Sequence, residues 1–250
     1  MTSEHQYACI AEMAYKEPGA SDAETCAIWS SATDISGLHH VYFFDAKKKG
    51  DGTSDAQVYT LICEDRIIFA CRGTESLSDI ATDISIWKEP FQDLIYCNSV
   101  DTAIYKNIKV HSGFLDQYNT IKYSMMATLY SAFWSGTAAD RKVVFVGHSL
   151  GGALASLGAA CAKAHFGSKI CVECYTYGSP RVGNRDFVRY FDATVNVSVR
   201  HVNGSDLITR IPKLFFYHVK GEKKIGTDAK KCIGSAEDHF MKNYKKALSC

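Results

Sequence analysis

The chain lacks most of what would tie it to a membrane, a nucleic acid or a metal. None of its 250 residues falls in an uninterrupted apolar run of the length a membrane span needs, about eighteen residues, so no transmembrane segment is expected. The opening MTSEHQYACIAEMAYKEP has neither a basic start nor an apolar core. No signal peptide is read there, and a cytoplasmic location is the expectation. Excess charge of one sign is missing too: 28 lysines and arginines face 27 acids, a formal net charge of +1, which argues against nucleic acid as the main partner. With no linker, repeat or low-complexity stretch, residues 1–250 are expected to form one α/β domain. At 46% hydrophobic residues the chain can build a sizeable core, and a domain of this length buries about three quarters of its unfolded surface.

Cysteine is not scarce, at ten residues, but it is scattered. Cys63, Cys71 and Cys171 lie in apolar strand patterns and Cys161 in a helical one, which reads as small buried hydrophobes. Cys171-Val-Glu-Cys174 is a C-x-x-C pair, yet residues three apart on a strand point to opposite faces, so neither metal nor cofactor is expected. Without a signal peptide, reduced thiols are the default. Two sequons, Asn196-Val-Ser198 and Asn203-Gly-Ser205, lean weakly the other way. Charge is also uneven. Lys213 to Cys250 holds nine lysines and four acids (Glu222, Asp228, Glu237, Asp238), a net of +5 that leaves −4 on residues 1–212. Such a face is either simply solvated or suited to an anionic lipid surface.

The elements read as alternating strand and helix in the second half. His5 to Tyr15 suits a short helix, Val41 to Phe44 a strand, and Lys47 to Gly52 a charged turn. Ala56 to Cys63 and Ile67 to Cys71 run out and back around Glu64-Asp65-Arg66. Phe114, Leu115, Tyr118, Ile121, Met125, Leu129, Ala132 and Phe133 keep helical spacing as far as Gly136. Strands follow at Ile170–Tyr177 and Val197–Val202, with a last helix from Ala236 to Leu248. This pattern predicts a mostly parallel sheet with an antiparallel N-terminal edge and helices on both faces. Ligands of such sheets bind at the carboxyl ends of the strands.

One stretch carries the chemistry. Val143-Val144-Phe145-Val146 ends at Gly147-His148-Ser149-Leu150-Gly151, and a small-residue helix begins at once. This is G-x-S-x-G between a strand and a helix, a turn that raises a serine hydroxyl above the sheet edge. The glycines suit a strained backbone with neighbouring chain close by. The Leu150 N–H, at the helix N-terminus, points where an oxyanion would form.

A nucleophilic serine needs a base and a group that orients the base. Downstream of Ser149 the best acid is Asp206, just past the strand end Arg200-His201-Val202, whereas Asp186 and Asp192 belong to a helix-like stretch and read as surface charges. Two histidines follow. His218 sits in an aromatic run, where an edge-strand imidazole would be a structural hydrogen-bonding group. His239 opens the last helix, where a loop could swing over Ser149, and spacing favours it without closing the choice. His148 is expected to pack inward, and His111 lies too early in the chain. The second oxyanion donor is sought after an earlier strand, where Arg72-Gly73-Thr74 ends one: Gly73 permits a tight turn and Thr74 donates its backbone N–H. Leu77, Ile80, Ile84 and Trp87 then fall on one helical stripe, either a surface helix packed on the core or a lid that opens onto lipid.

Five segments in order resemble the class 3 (fungal-type) lipase family of α/β-hydrolases: Phe69-Ala70-Cys71-Arg72-Gly73-Thr74, Val110-His111-Ser112-Gly113-Phe114, Gly147 through Ala155, Tyr177 through Asn184, and Val202-Asn203-Gly204-Ser205-Asp206 running to Pro212. The likeness spans roughly residues 60–245. It implies an α/β-hydrolase fold, Ser149 as nucleophile, Asp206 as the acid, and Thr74 and Leu150 as oxyanion donors. It further implies that Asp238-His239-Phe240, before Tyr244, carries the base, and that His218 is the non-catalytic histidine preceding it. The resemblance implies hydrolysis of a lipid ester, acylglycerols first, at a membrane or droplet interface and without a cofactor. Phospholipase A1, monoacylglycerol lipase and feruloyl-type esterase activities share that machinery. So would acyl transfer to an alcohol. A lipid-binding protein on a hydrolase scaffold is the reading of another class. The chain departs from the family pattern at Ile80, where many members carry a lid tryptophan, and in cysteines that match no disulfide of the secreted fungal members.

Overall fold

Alternate residues of the apolar strands divide between two cores, one on each face of a seven-stranded sheet. A computed structural model describes residues 2–46, 56–74, 87–95, 107–135, 142–226 and 234–249. In chain order the elements are α1 (Ser3–Met13), α2 (Asp22–Thr33), β1 (Leu38–Asp45), β2 (Gln57–Cys63), β3 (Arg66–Cys71), β4 (Lys88–Pro90) and α3 (Gln92–Ile95). There follow β5 (Lys109–His111), α4 (Ser112–Trp134), β6 (Lys142–His148), α5 (Leu150–Phe166), β7 (Cys171–Tyr177), α6 (Arg185–Thr194), β8 (Val197–Asn203), β9 (Glu222–Ile225) and α7 (Met241–Leu248). The sheet runs β1-β2-β3-β6-β7-β8-β9. Its first two pairings are antiparallel and the rest parallel, so the expected α/β-hydrolase sheet with an antiparallel N-terminal edge is what forms.

The period of two sorts the side chains. Ile67, Phe69 and Cys71 of β3, with Val143 and Phe145 of β6, face the core under α4, α5 and α6. Ile68, Ala70, Val144 and Val146 face the other core, under α1, α2 and α7. Phe69 pairs with Phe145 in register, and their rings stack with centroids 5.0 Å apart. Helix α5 is buried almost all round, which explains its run of small residues. Gly158, for instance, lies so close to Phe145 that an added Cβ would sit 2.6 Å from the ring.

Several expectations need correction. Cys171 is exposed, because it is the first residue of β7 and stands at the strand's open end. The last helix starts at Met241, not Ala236: Glu237–His239 form a 3-10 turn, and Phe240 is extended (φ −63°, ψ 135°), which breaks the helix between them. His218 is not on the edge strand, which is β9. Helix α2 was not legible in the pattern, since only Thr25, Trp29 and Thr33 are buried along it and two of those are threonines. Ser21 caps it by accepting from the Glu24 N–H at 3.2 Å. The charged turn at Lys47–Gly52 lies outside the described residues.

The two ends of the described chain meet on the α1/α7 face. Lys245 Nζ lies 2.5 Å from Glu12 Oε2, and the Tyr177 hydroxyl donates to the Glu4 carbonyl at 2.6 Å.

Candidate active site

Ser149 sits at the junction of β6 and α5 with φ 57° and ψ −128°, a region that costs a non-glycine residue about 1–3 kcal/mol. The strain persists because both sides are fixed. The Ser149 N–H donates to the Tyr177 carbonyl at 2.9 Å, and its carbonyl accepts from the Gly152 N–H at 2.9 Å. Close packing beneath the turn demands Gly151: a Cβ there would overlap the Cys71 carbonyl oxygen at the end of β3. The Leu150 N–H heads the first turn of α5, where no intrahelical carbonyl is available to it.

Asp206 follows β8, completely buried, and its carboxylate collects three donors. His239 Nδ1 lies 2.8 Å from Oδ2 and 2.9 Å from Oδ1, the Ile208 N–H donates to Oδ1 at 2.8 Å, and the Tyr244 hydroxyl donates to Oδ2 at 2.6 Å. An ionised carboxylate only accepts, so Nδ1 of His239 carries the proton and Nε2 presents its lone pair. That Nε2 and the Ser149 hydroxyl are both buried, and neither has a hydrogen-bond partner among the described residues. Gly178 makes room for the pair. Its φ is +61°, and a Cβ would come within 2.7 Å of Asp206 and 2.9 Å of His239.

The acid loop and the histidine turn are stitched together. Asn203 Nδ2 donates to the Asp238 carbonyl at 2.9 Å, Asp238 Oδ2 accepts from the Ser205 N–H at 2.8 Å, and the Ser235 N–H donates to the Ser205 carbonyl at 2.9 Å. The Asn203 sequon is thus a buried structural amide.

His148 packs inward as expected, but its ring reaches the site from behind. Nε2 lies 2.7 Å from the His239 carbonyl, which can only accept, so Nε2 bears the proton. Nδ1 then accepts from the Tyr15 hydroxyl at 2.8 Å. Burial, with the His239 ring 4.5 Å away, holds the His148 pKa down at about 3. A histidine that titrates near 6.5 when unfolded and near 3 when folded takes up its proton only in the unfolded chain across that window. Stability therefore falls as pH drops from about 6.5 toward 3, by up to about 1.4 kcal/mol per pH unit. Urea unfolding of H148Q between pH 7 and pH 4 should show a shallower slope than the natural chain, and equal slopes would remove His148 from the acid response.

Gly73 has a different role from the one expected. It is not among the positive-φ glycines, so no tight turn requires it. It is needed for close approach, because a Cβ would strike the Tyr15 hydroxyl and lie 2.6 Å from the His148 carbonyl oxygen. Thr74 follows it, half-buried. His111 caps α4 through Nδ1, which accepts from the Phe114 N–H at 3.4 Å, and His218 Nε2 lies 2.6 Å from the Thr209 carbonyl. Trp87 is 73% exposed. Leu77, Ile80 and Ile84 lie outside the described residues, and with them the stripe that would form a lid.

The model of the lipase (class 3) family matches residues 68–216, more than half of the sequence. The chain belongs to the class 3 lipase family. Among curated relatives of this lipase-family chain, "Phospholipase A1-II 1" of Oryza sativa subsp. indica is 28% identical over 174 residues, covering 64% of this chain and 43% of that protein. "Lipase" of Rhizomucor miehei is 36% identical over 113 residues, covering 43% of this chain and 30% of that protein. The chain thus spans less than half the length of these relatives. Among solved structures, lipase II from Rhizopus niveus superposes with a TM-score of 0.72 at 24% identity, over 94% of this chain and 90% of that one.

The contacts that sequence reasoning missed are the long-range ones. Tyr244 lies on α7, 38 positions beyond Asp206, and burial, reinforced by Asp206, pushes its hydroxyl well above the usual tyrosine range. It therefore stays protonated and keeps donating. Y244F would leave a buried carboxylate one donor short, and thermal unfolding should show a loss of about 1.5–3 kcal/mol. A stability unchanged from the natural chain would refute that contribution.

Proposed function

We propose that this chain hydrolyses carboxylic esters of acylglycerols through an acyl-enzyme on Ser149. The observation that carries the proposal is a buried Asp206 that holds the His239 Nδ1 proton and leaves Nε2 bare, beside a strained serine hydroxyl with no partner of its own. Ser149 Oγ attacks the ester carbonyl while its proton passes to His239 Nε2. Asp206 stabilises the imidazolium, and the Thr74 and Leu150 N–H groups take the oxyanion. Collapse of the tetrahedral intermediate expels the alcohol, which leaves with the proton from His239. Water, deprotonated by the same nitrogen, then releases the fatty acid and restores Ser149.

Membership of the family supports the ester chemistry, and the names of relatives bracket the substrate: one is called a lipase and another a phospholipase A1. Phospholipase A1 or short-chain esterase action is the alternative within the same machinery. The reading of another class, a non-catalytic lipid-binding protein on this scaffold, is separated by fluorophosphonate labelling, which requires an activated serine. The deciding measurement is hydrolysis of p-nitrophenyl esters of short, medium and long acyl length, with tri-acylglycerol and phosphatidylcholine beside them. Release of fatty acid from tri-acylglycerol is the expected result. Cleavage of phosphatidylcholine alone would move the assignment to phospholipase A1. Activity confined to short soluble esters would overturn the lipase reading.

A further inference from the structure

The loop that leaves Asp206 carries a feature the hydrolysis does not use. Phe215 has φ +62°, a left-handed conformation in which a bulky aromatic is an outlier. Its ring stands out in solvent, 68% exposed, next to Leu214 at 61%. Trp87, also exposed, immediately precedes β4, whose first residue, Lys88, reaches the Phe215 ring. Large apolar side chains grouped on a surface mark an interaction site more often than a chance exposure. Their neighbours are basic. Lys88 Nζ sits 4.9 Å from the Phe215 ring centroid and 5.0 Å from that of Phe216, and Arg185 lies 5.0 Å over Tyr217. Lys213, the residue before Leu214, is exposed as well. The acids close to this tip in sequence are Glu89 and Asp186, and Asp186 is already paired with Arg189 at 3.2 Å.

We infer that Trp87, Leu214 and Phe215, framed by Lys88, Lys213 and Arg185, form a docking surface for an anionic lipid bilayer. Aromatic rings that sit at headgroup depth, with long cationic side chains reaching back toward phosphate, are the chemistry such a surface recognises. No helix among the described residues is long and apolar enough to cross a membrane, so the contact is peripheral. The position of the tip ties docking to chemistry: the loop that would touch lipid is the one that begins at Asp206. The inference rests on the lipid-ester reading above.

The test uses this chain carrying S149A, so that binding is read without turnover. Trp29 is buried and Trp134 is 81% exposed, so W134F leaves Trp87 as the exposed reporter. Vesicles of phosphatidylcholine with phosphatidylglycerol should shift its fluorescence to the blue and sediment the protein. Pure phosphatidylcholine vesicles should bind at least tenfold more weakly, and added salt should release the protein. F215G removes the ring and also relieves the left-handed strain, so it should fold at least as well yet bind at least tenfold less. The pair K88E and K213E should do the same while turnover of a soluble p-nitrophenyl ester stays intact. Equal binding to neutral and anionic vesicles, or natural affinity in F215G, overturns the docking surface. Vesicle binding by S149A with no lipid hydrolysis by the natural chain would leave docking standing and remove the proposed function.

Discussion

Replacing Ser149 by alanine is expected to lower ester turnover by roughly 10⁴- to 10⁶-fold, with no burst of released alcohol and no labelling by a fluorophosphonate. The size follows from the geometry. The elbow offers one hydroxyl, and the neighbouring groups have other work: His148 is committed to Tyr15 and the His239 carbonyl, and Tyr244 to Asp206. Alanine at His239 should cost a similar factor, since a serine hydroxyl that keeps its proton is a poor nucleophile. The double variant should be hardly worse than either single one, because the two act as a unit. Pre-steady-state release of p-nitrophenol checks all three. Natural turnover in S149A would sink the assignment.

Gly151→Ala is expected to destabilise the fold strongly. Its Cβ would lie well inside van der Waals contact with the Cys71 carbonyl oxygen and 3.0 Å from the Arg72 carbonyl carbon, both of them backbone and unable to rotate away. Either α5 must lift from the sheet or the end of β3 must move. Overpacking of this kind costs about 3 kcal/mol or more when backbone has to yield, a fall in Tm of roughly 6–12 °C for a chain of this size. The same displacement should reduce turnover steeply. The end of β3 leads through Gly73 into Thr74, while α5 presents Leu150, so both proposed oxyanion donors would be moved by one substitution. Thermal unfolding and ester hydrolysis on the same preparation test the coupling. A variant with natural Tm would show that the strand end gives way freely.

What could be read from the sequence is what depends on neighbours in the chain. The alternation through Val143–Val146, the glycines on either side of Ser149 and the placing of Asp206 just past an apolar strand are local patterns, and the structure places these residues accordingly. The Asp206–His239 contact is less local, and spacing alone left His218 in competition. Only the packing of the 3-10 turn on the acid loop brings one imidazole to the carboxylate and sends the other to the Thr209 carbonyl. Tyr15 meets His148 across 133 positions and Tyr244 meets Asp206 across 38, and no periodicity announces either. Gly73 illustrates a subtler limit. A glycine after a strand suggests a turn, but its cause is a tyrosine from the N-terminal segment lying against it.

The joining of α1 to α7 has a consequence for when the molecule becomes reactive. A ribosome delivers α1 before residues 234–249, so Glu4, Glu12 and Tyr15 emerge well ahead of the Tyr177, Lys245 and His148 they pair with. The sheet out to β9 precedes His239 in the chain. Until that turn closes over Asp206, Ser149 lacks the base proposed for it, and a nascent chain would hold a formed but inert elbow. On the proposed reading, reactivity arrives only when that turn has closed, and a ribosome-bound chain halted before His239 should fail to label with a fluorophosphonate.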